Sequence, residues 1–184
     1  TYDVTPEVYG YGFDIAALQA WIDTADYGAV KEITLKDIFP QVPEKSLSEG
    51  QFADLRGTHT TSSNKGANWN NNMNLACQSI HNYVIGPGKS FSFNVVVGRP
   101  SDKKGYKYAP GYHNGKDGDV MGAGISQVAS ALYCSALKAE LQIEERHCSL
   151  YAPDYIQKGL DAYVNWGFED LVIVNNTDSP IRIL

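Results

Sequence analysis

The sequence predicts an α+β fold in which helices pack on a mainly antiparallel sheet. Two segments carry the 3.6-residue apolar repeat of amphipathic helices, at about 69–84 and 127–140. Strand-like segments follow the second helix, at about 141–147, 161–166 and 170–174, with a last one at 181–184. Because the strands come as a run and do not alternate with helices, an α+β domain is favoured over an α/β one.

The first part of the chain contains a short helix and a short strand. Asp14 is a good N-cap for a helix that continues to about Asp26. Its apolar positions share one face: Ile15, Leu18, Ile22 and Ala25. A strand at 33–35 follows, and the proline-containing stretch 40–50 is interpreted as a linker.

The second part begins with the helix at 69–84. Its apolar stripe predicts a core face: Trp69, Met73, Ala76, Cys77, Ile80 and Val84. Cys77 is therefore expected to pack in the core. Residues 90–93 alternate as a strand, and 98–118 are expected to be rich in loops, with a tight turn at 114–115.

Composition excludes several classes of protein. The 184 residues include 15 Lys+Arg and 21 Asp+Glu, a net charge of −6, which argues against a nucleic-acid binder. No apolar run approaches the ~20 residues of a membrane span. Three cysteines without C-x-x-C spacing argue against a disulfide framework and a cysteine zinc site, although a Cys134–Cys148 disulfide is conceivable. The histidines show no ligand spacing, so we expect no metal and no cofactor.

A glycine-rich loop delivers Ser126 to the first turn of the second long helix. Gly122 and Gly124 would let a substrate approach the backbone, and the free N–H groups of a helix N-terminus stabilise a thiolate or an oxyanion. His147 and Asp161 follow in the chain order of nucleophile, histidine and acid, as in a papain-like site. On the local pattern alone, however, a structural serine cap is favoured over a catalytic position.

Several ordered blocks resemble the VanW domain family of Gram-positive cell-envelope proteins. The resemblance runs from about residue 52 to 184 and is strongest at residues 122–133, where GAGISQVASALY is similar to the family's GGGICQVSTTLY. The other blocks lie at 68–77, 87–94, 97–99, 105–106, 159–162 and 175–181. Residues 1–42 are similar to the end of a peptidoglycan-binding domain that often precedes VanW, which leaves 43–51 as the linker.

The resemblance implies peptidoglycan chemistry. Some family members are L,D-transpeptidases, in which a cysteine makes 3-3 cross-links between stem peptides by acyl transfer. It implies Ser126 at the nucleophile position, to which the chain order adds His147 and Asp161 as catalytic partners. We expect substrate or oxyanion contacts from four further residues: Gly122, Gly124, Gln127 and Tyr133. It also implies stem peptides as partners and an extracytoplasmic location in the cell envelope, the chain being a fragment of a secreted or membrane-anchored protein.

Two departures from the family pattern concern the site itself. Ser126 replaces the signature cysteine, either as an engineered inactive variant or in a natural non-catalytic homologue. The surrounding signature is retained, so we favour the engineered variant. In the family's Arg-x-x-His pattern, counted from Arg146, the histidine position is Ser149, and His147 lies two residues earlier on the same face of a strand.

Three functions therefore stay open. The first is a cysteine acyltransferase seen with serine in place of its nucleophile, in which hydrolysis would instead give a carboxypeptidase or endopeptidase. The second is a non-catalytic module that binds peptidoglycan. The third is an interaction domain of a larger envelope protein.

Overall fold

The computed structural model describes residues 10–38, 52–113 and 116–184, with no side-chain description for residue 113. The chain divides into two compact units, with the boundary between residues 51 and 52. The predicted linker at 43–51 and the predicted turn at 114–115 lie outside the described residues.

The first unit contains one helix and a pair of strands. Its elements are β1 (Gly10–Gly12), α1 (Ile15–Ile22) and β2 (Lys36–Ile38), and β1 pairs antiparallel with β2. The predicted cap is confirmed, because the Asp14 carboxylate accepts the Ala17 N–H at 2.9 Å. The helix ends at Ile22 and not at about Asp26, and its apolar face is not buried among the described residues, since Ile15 and Ile22 are 73% and 53% exposed. The strand predicted at 33–35 is found a few residues later in the sequence, as β2.

The second unit confirms the α+β class, with helices and antiparallel strands in one core. In chain order its elements are α2 (Ala67–Ile80), β3 (Val84–Ile85), β4 (Ser90–Ser92), α3 (Phe93–Val97), a 3-10 turn (Asp102–Lys104), β5 (Tyr108–His113), β6 (Lys116–Met121), α4 (Ile125–Lys138), β7 (Gln142–Glu145), β8 (Val172–Val174) and β9 (Ile181–Arg182). Phe93 begins α3 and does not extend β4, because the Ser92 hydroxyl caps that helix by accepting the Val95 N–H.

All described strand pairs of the second unit are antiparallel. A three-stranded sheet has the order β4-β8-β7, so β8 lies in the middle, and β3 pairs with β9. The predicted loop at 98–118 is partly wrong, because β5 and β6 form a two-stranded ribbon. The predicted strand at 161–166 makes isolated bridges only, from Tyr163 to His147 and from Asn165 to Glu169.

The core lies between the three-stranded sheet and the helices α2 and α4, which pack against each other. Its fully buried side chains include Ala76, Phe91, Phe93, Ala129, Leu171 and Ile173. The prediction for Cys77 is wrong: its side chain is exposed, and Asn72 is buried in its place. Among the described residues, no helix has the length and apolarity required to cross a bilayer.

Candidate functional site

Ser126 lies in the first turn of α4, as the sequence predicts. The helix begins at Ile125, and its N-cap is Gly124, which has φ +113° and makes no side-chain cap. The simpler interpretation of Ser126 as a helix cap is therefore wrong. Its half-buried hydroxyl instead bonds to a distant segment of the chain.

The two glycines before Ser126 are required by close packing of the loop. A Cβ at Gly124 would lie 3.0 Å from the Trp69 carbonyl oxygen, and one at Gly122 would lie 2.6 Å from the Pro100 Cβ. Both residues also have positive φ, which other residues adopt only with strain. Their glycine identity thus has a structural cause in addition to the predicted approach of a substrate.

One row of side chains on α4 binds the backbone of the extended segment 160–164. We call Ser126, Ser130 and Cys134 the latch row. Ser126 Oγ accepts the Val164 N–H at 3.2 Å and lies 3.4 Å from the Val164 carbonyl. Ser130 Oγ accepts the Ala162 N–H at 2.8 Å. Cys134 Sγ lies 3.4 Å from the Leu160 carbonyl, and burial raises the pKa of its thiol.

The periods of the helix and of the extended chain match along this row. Positions four apart on a helix are separated by about 6 Å, and two residues of an extended chain span about 6.6 Å. Alternate backbone groups of an extended chain point to the same edge, so Ala162 and Val164 face α4. The intervening Tyr163 donates its N–H to the His147 carbonyl at 2.8 Å on the other edge. The latch row thus takes the place of a neighbouring strand.

Asn72 fixes the loop that leads to Ser126. Its buried side-chain amide donates to the carbonyls of Ala123 and Lys107 at 2.8 and 2.9 Å, and its oxygen accepts the Lys107 N–H at 2.8 Å. All of these bonds join α2 to segments at least 35 residues away. Asn72 therefore ties the loop before Ser126 to α2.

Gln127, predicted to contact substrate, is a structural connector. Only 1% of it is exposed, its amide oxygen accepts the Trp69 indole N–H at 2.9 Å, and its amide nitrogen donates to the Ser62 carbonyl at 3.1 Å. Both ends of the amide are thus occupied. The side chain ties α4 to α2 and to the segment before α2.

The structure does not bring His147 and Asp161 together at the Ser126 hydroxyl. His147 Nε2 lies 2.9 Å from Glu145 Oε1. Asp161, which is 4% exposed, pairs with Arg146 at 3.3 Å and accepts the Ser149 N–H at 2.6 Å. Among the described residues, no hydrogen bond joins any two of the three predicted catalytic side chains.

Arg146 organises the surroundings of Asp161. Its guanidinium donates to the carbonyls of Asp161 and Gly159 at 2.7 and 3.1 Å and lies 5.3 Å from the centre of the Tyr133 ring. Tyr133, predicted to contact substrate, thus makes a cation–π contact with this arginine. The Arg146 cluster holds the loop between β7 and the segment 160–164.

Two backbone N–H groups at the start of α4 have no partner among the described residues. Within the described ranges, the backbone N–H groups of Gly124 and Ser126 have no hydrogen-bond acceptor. They lie at the positive end of the α4 dipole, where a negative charge is stabilised.

No cluster of three or more His, Cys, Asp or Glu side chains that could hold a metal occurs in the part of the chain that the structure describes.

The sequence interpretation missed the second serine of the latch row and the role of the asparagines. A signal for the asparagines was present, because residues 68–74 hold five of them in a helix, where asparagine is a poor helix former. Buried polar side chains must find partners, so such a cluster indicates a set of backbone contacts. The partners of Ser130 are 32 residues away, and no local pattern indicates them.

Comparisons with known proteins find relatives that match most of the second unit. A family model described as "VanW like protein" matches residues 68–184. The uncharacterized protein YoaR of Bacillus subtilis (strain 168) is 35% identical over 158 residues, which cover 83% of this chain and 50% of that protein. The vancomycin B-type resistance protein VanW of Enterococcus faecalis (strain ATCC 700802 / V583) is 31% identical over 117 residues, 61% of this chain and 42% of that protein.

No solved structure matches the chain. The chain spans about half the length of the curated relatives it matches. The family match covers well over half of the chain, and it contains α2, the Ser126 loop and the latch row. The chain therefore belongs to the VanW-like protein family.

Proposed function

We propose that this domain provides the site of a peptidoglycan acyl transfer of the L,D-transpeptidase type, with Ser126 at the position of the nucleophilic cysteine. The observation that carries the proposal is the placement of Ser126 in the first turn of α4, with free N–H groups beside it. The VanW-family relatives support a protein family related to the cell envelope. An extracytoplasmic location and stem peptides as substrates belong to the same proposal.

A thiol at position 126 would be activated without a neighbouring base. The helix N-terminus favours the thiolate, and the Val164 N–H, now 3.2 Å from Ser126 Oγ, points at the same place. A serine hydroxyl needs a general base, and none of the described side chains hydrogen-bonds to Ser126 Oγ as a base. This difference explains why the chain with Ser126 is expected to be inactive.

The proposed reaction has two acyl transfers. The thiolate sulfur attacks the carbonyl carbon of the donor amide and the C–N bond breaks, while the leaving nitrogen takes a proton from solvent water and departs as the amine of D-alanine. The acceptor amine then attacks the thioester, loses a proton and regenerates the thiolate. In this proposal the oxyanion of both steps would be stabilised by the N–H groups of Gly124 and Ser126, which have no hydrogen-bond acceptor among the described residues.

A second candidate is a non-catalytic module that binds peptidoglycan. The observation that favours it is the engagement of Ser126 Oγ by both backbone groups of Val164. A hydroxyl with this role stabilises the fold and needs no chemistry. This candidate predicts reversible binding to sacculi and no turnover with either serine or cysteine at position 126.

The decisive experiment incubates the Ser126→Cys variant with purified tetrapeptide muropeptides and analyses the products by mass spectrometry. We expect cross-linked dimers and released D-alanine. The unchanged chain is a matched control for stray thiol chemistry, because Cys77 and Cys148 are already exposed. A folded Ser126→Cys protein that yields neither product would contradict the acyl transfer, and binding to sacculi would then support the second candidate.

A further inference from the structure

The segment 149–159 is an irregular loop whose two ends are held together at a buried neck. The Ser149 N–H donates to the Asp161 carboxylate at 2.6 Å, and the Arg146 guanidinium donates to the Gly159 carbonyl at 3.1 Å. Asp161 is 4% exposed, so water hardly reaches this neck. The residues between the two ends form neither helix nor strand. Loops of this length with adjacent ends are Ω-loops, which are frequently functional.

The first contact of this loop places it beside the turn that leads to Ser126. Tyr151 packs edge-on against Tyr112 of β5, with the ring centroids 4.7 Å apart and the planes at 82°. The residue before Tyr112 lies against the turn, because a Cβ at Gly111 would be 3.0 Å from the Ala123 Cβ. Tyr151 is therefore attached to the strand that packs on this turn.

The second contact leads to the residue that follows Ser126. The Asp154 carboxylate lies 2.9 Å from the Lys65 ammonium group. The same ammonium group lies 5.1 Å from the centre of the Trp69 ring, whose indole N–H donates to Gln127. Asp154 is thus connected to the first turn of α4 through two side chains.

The third contact is made with the latch row itself. Burial raises the pKa of the Tyr155 phenol to about 12, and the neighbouring Ser130 hydroxyl offsets part of this rise. Ser130 lies one helical turn after Ser126. The three contacts therefore lead to Ala123, Gln127 and Ser130, which come before, directly after and one turn after Ser126. A loop attached at these three places crosses the first turn of α4.

The contacts at the far part of the loop are weaker than its neck. The side chains of Asp154 and Lys65 are 71% and 34% exposed, and Tyr151 is 63% exposed. Exposed ion pairs and single aromatic pairs contribute little to stability. At the neck, Gly159 has φ +86°, and a Cβ there would meet nothing within 4 Å. The loop is thus able to open locally at a low free energy, while its neck stays closed.

We propose that residues 149–159 form a lid over Ser126. The lid opens when the Tyr151 and Asp154 contacts are released, while the neck at Asp161 holds, and a substrate reaches the first turn of α4 when the lid is open. The proposal concerns access to position 126 and does not depend on the acyl transfer.

The test measures how fast iodoacetamide alkylates the thiol that Ser126→Cys introduces, by mass spectrometry of each cysteine peptide. Adding Tyr151→Ala and Asp154→Ala together should raise this rate about threefold or more, because two weak contacts that close the lid are lost. Gln157→Ala is the matched control, since its exposed side chain in the same loop makes no hydrogen bond within the described residues, and it should leave the rate unchanged. Cys77, exposed on α2, is the internal reference in every sample.

Two results would overturn the lid. One is an alkylation rate at position 126 that is the same with the Tyr151 and Asp154 substitutions as with Gln157→Ala. The other is an equal rise at Cys77, which would show a general loosening of the fold. Hydrogen exchange adds a second measurement: the Ser149 amide should keep its protection in the doubly substituted loop, and faster exchange there would contradict a fixed neck. These rates report on the lid even if the Ser126→Cys protein makes no cross-linked product.

Discussion

Replacing Ser130 tests whether the latch row substitutes for a strand. The Ser130 hydroxyl is fully buried and accepts the Ala162 N–H at 2.8 Å, and Ala162 is itself 0% exposed. In Ser130→Ala this N–H loses its partner in a place that water does not reach. Leaving a buried donor unsatisfied costs about 1–3 kcal/mol. We expect the free energy of unfolding to fall by that amount in guanidinium titrations followed by tryptophan fluorescence.

The matched control for this variant is Ser135→Ala on the same helix. The Ser135 hydroxyl donates only to the Ala131 carbonyl within α4, so its loss should change stability by less than about 0.5 kcal/mol. Hydrogen exchange provides a local measurement. The Ala162 amide should exchange faster in Ser130→Ala, while the Tyr163 amide, bonded to the His147 carbonyl on the other edge, keeps its protection. Equal stability of the two variants, with unchanged exchange at Ala162, would refute the latch row.

Three further predictions concern Gln127, Gly124 and Tyr155. Gln127→Leu leaves the buried Trp69 indole N–H unpaired and should cost about 1–3 kcal/mol in a denaturant titration; a neutral effect would contradict its role as a connector. Gly124→Ala meets backbone at positive φ and should lower Tm by several degrees, whereas Gly118→Ala, where a Cβ meets nothing within 4 Å, should not. Burial raises the pKa of Tyr155 to about 12, so the folded state holds a proton that the unfolded state loses above pH ~10. Stability should therefore fall between about pH 10 and 12, and less steeply in Tyr155→Phe, as followed by unfolding at each pH.

The sequence predicts the elements whose patterns are local. Helix α4 begins and ends within two residues of the predicted bounds, because its apolar stripe repeats at the helical period. The ribbon of β5 and β6 was not predicted, since Pro110, Gly111 and Gly118 interrupt any alternation along its strands. Its pairing depends on six consecutive cross-strand partners and not on a side-chain pattern.

The buried face of α2 shows why sequence patterns place the wrong residue inside. Asn72 is 0% exposed because three backbone groups satisfy its amide, and the side chains of Trp69, Ala76 and Ile80 are buried on the same face. Apolar periodicity excludes asparagine from a core and admits Cys77 instead. The partners of Asn72 lie 35 and 51 residues away, so they are not visible in a local pattern.

Of the predicted catalytic site, the structure bears only on the position of Ser126, which lies in the first turn of α4. The chain order of Ser126, His147 and Asp161 is correct for a triad, but order does not determine where side chains point. The Asp161 carboxylate is held by Arg146 and by the Ser149 N–H, and the His147 ring by Glu145. Their catalytic roles stay predictions.

Position 126 combines a structural role and the proposed chemical one, and these favour different atoms. A hydroxyl bonds well to the Val164 backbone, whereas sulfur is a weak hydrogen-bond acceptor and a weak donor. The Ser126→Cys variant should therefore be less stable than the unchanged chain by about 0.5–1.5 kcal/mol, even if it gains activity. Guanidinium titration of both proteins under reducing conditions measures this difference. A Ser126→Cys protein as stable as the unchanged chain would mean that the Val164 contact contributes nothing. The attachment of segment 160–164 to α4 would then depend on the Ser130 and Cys134 contacts, and serine at position 126 would have no structural advantage over cysteine.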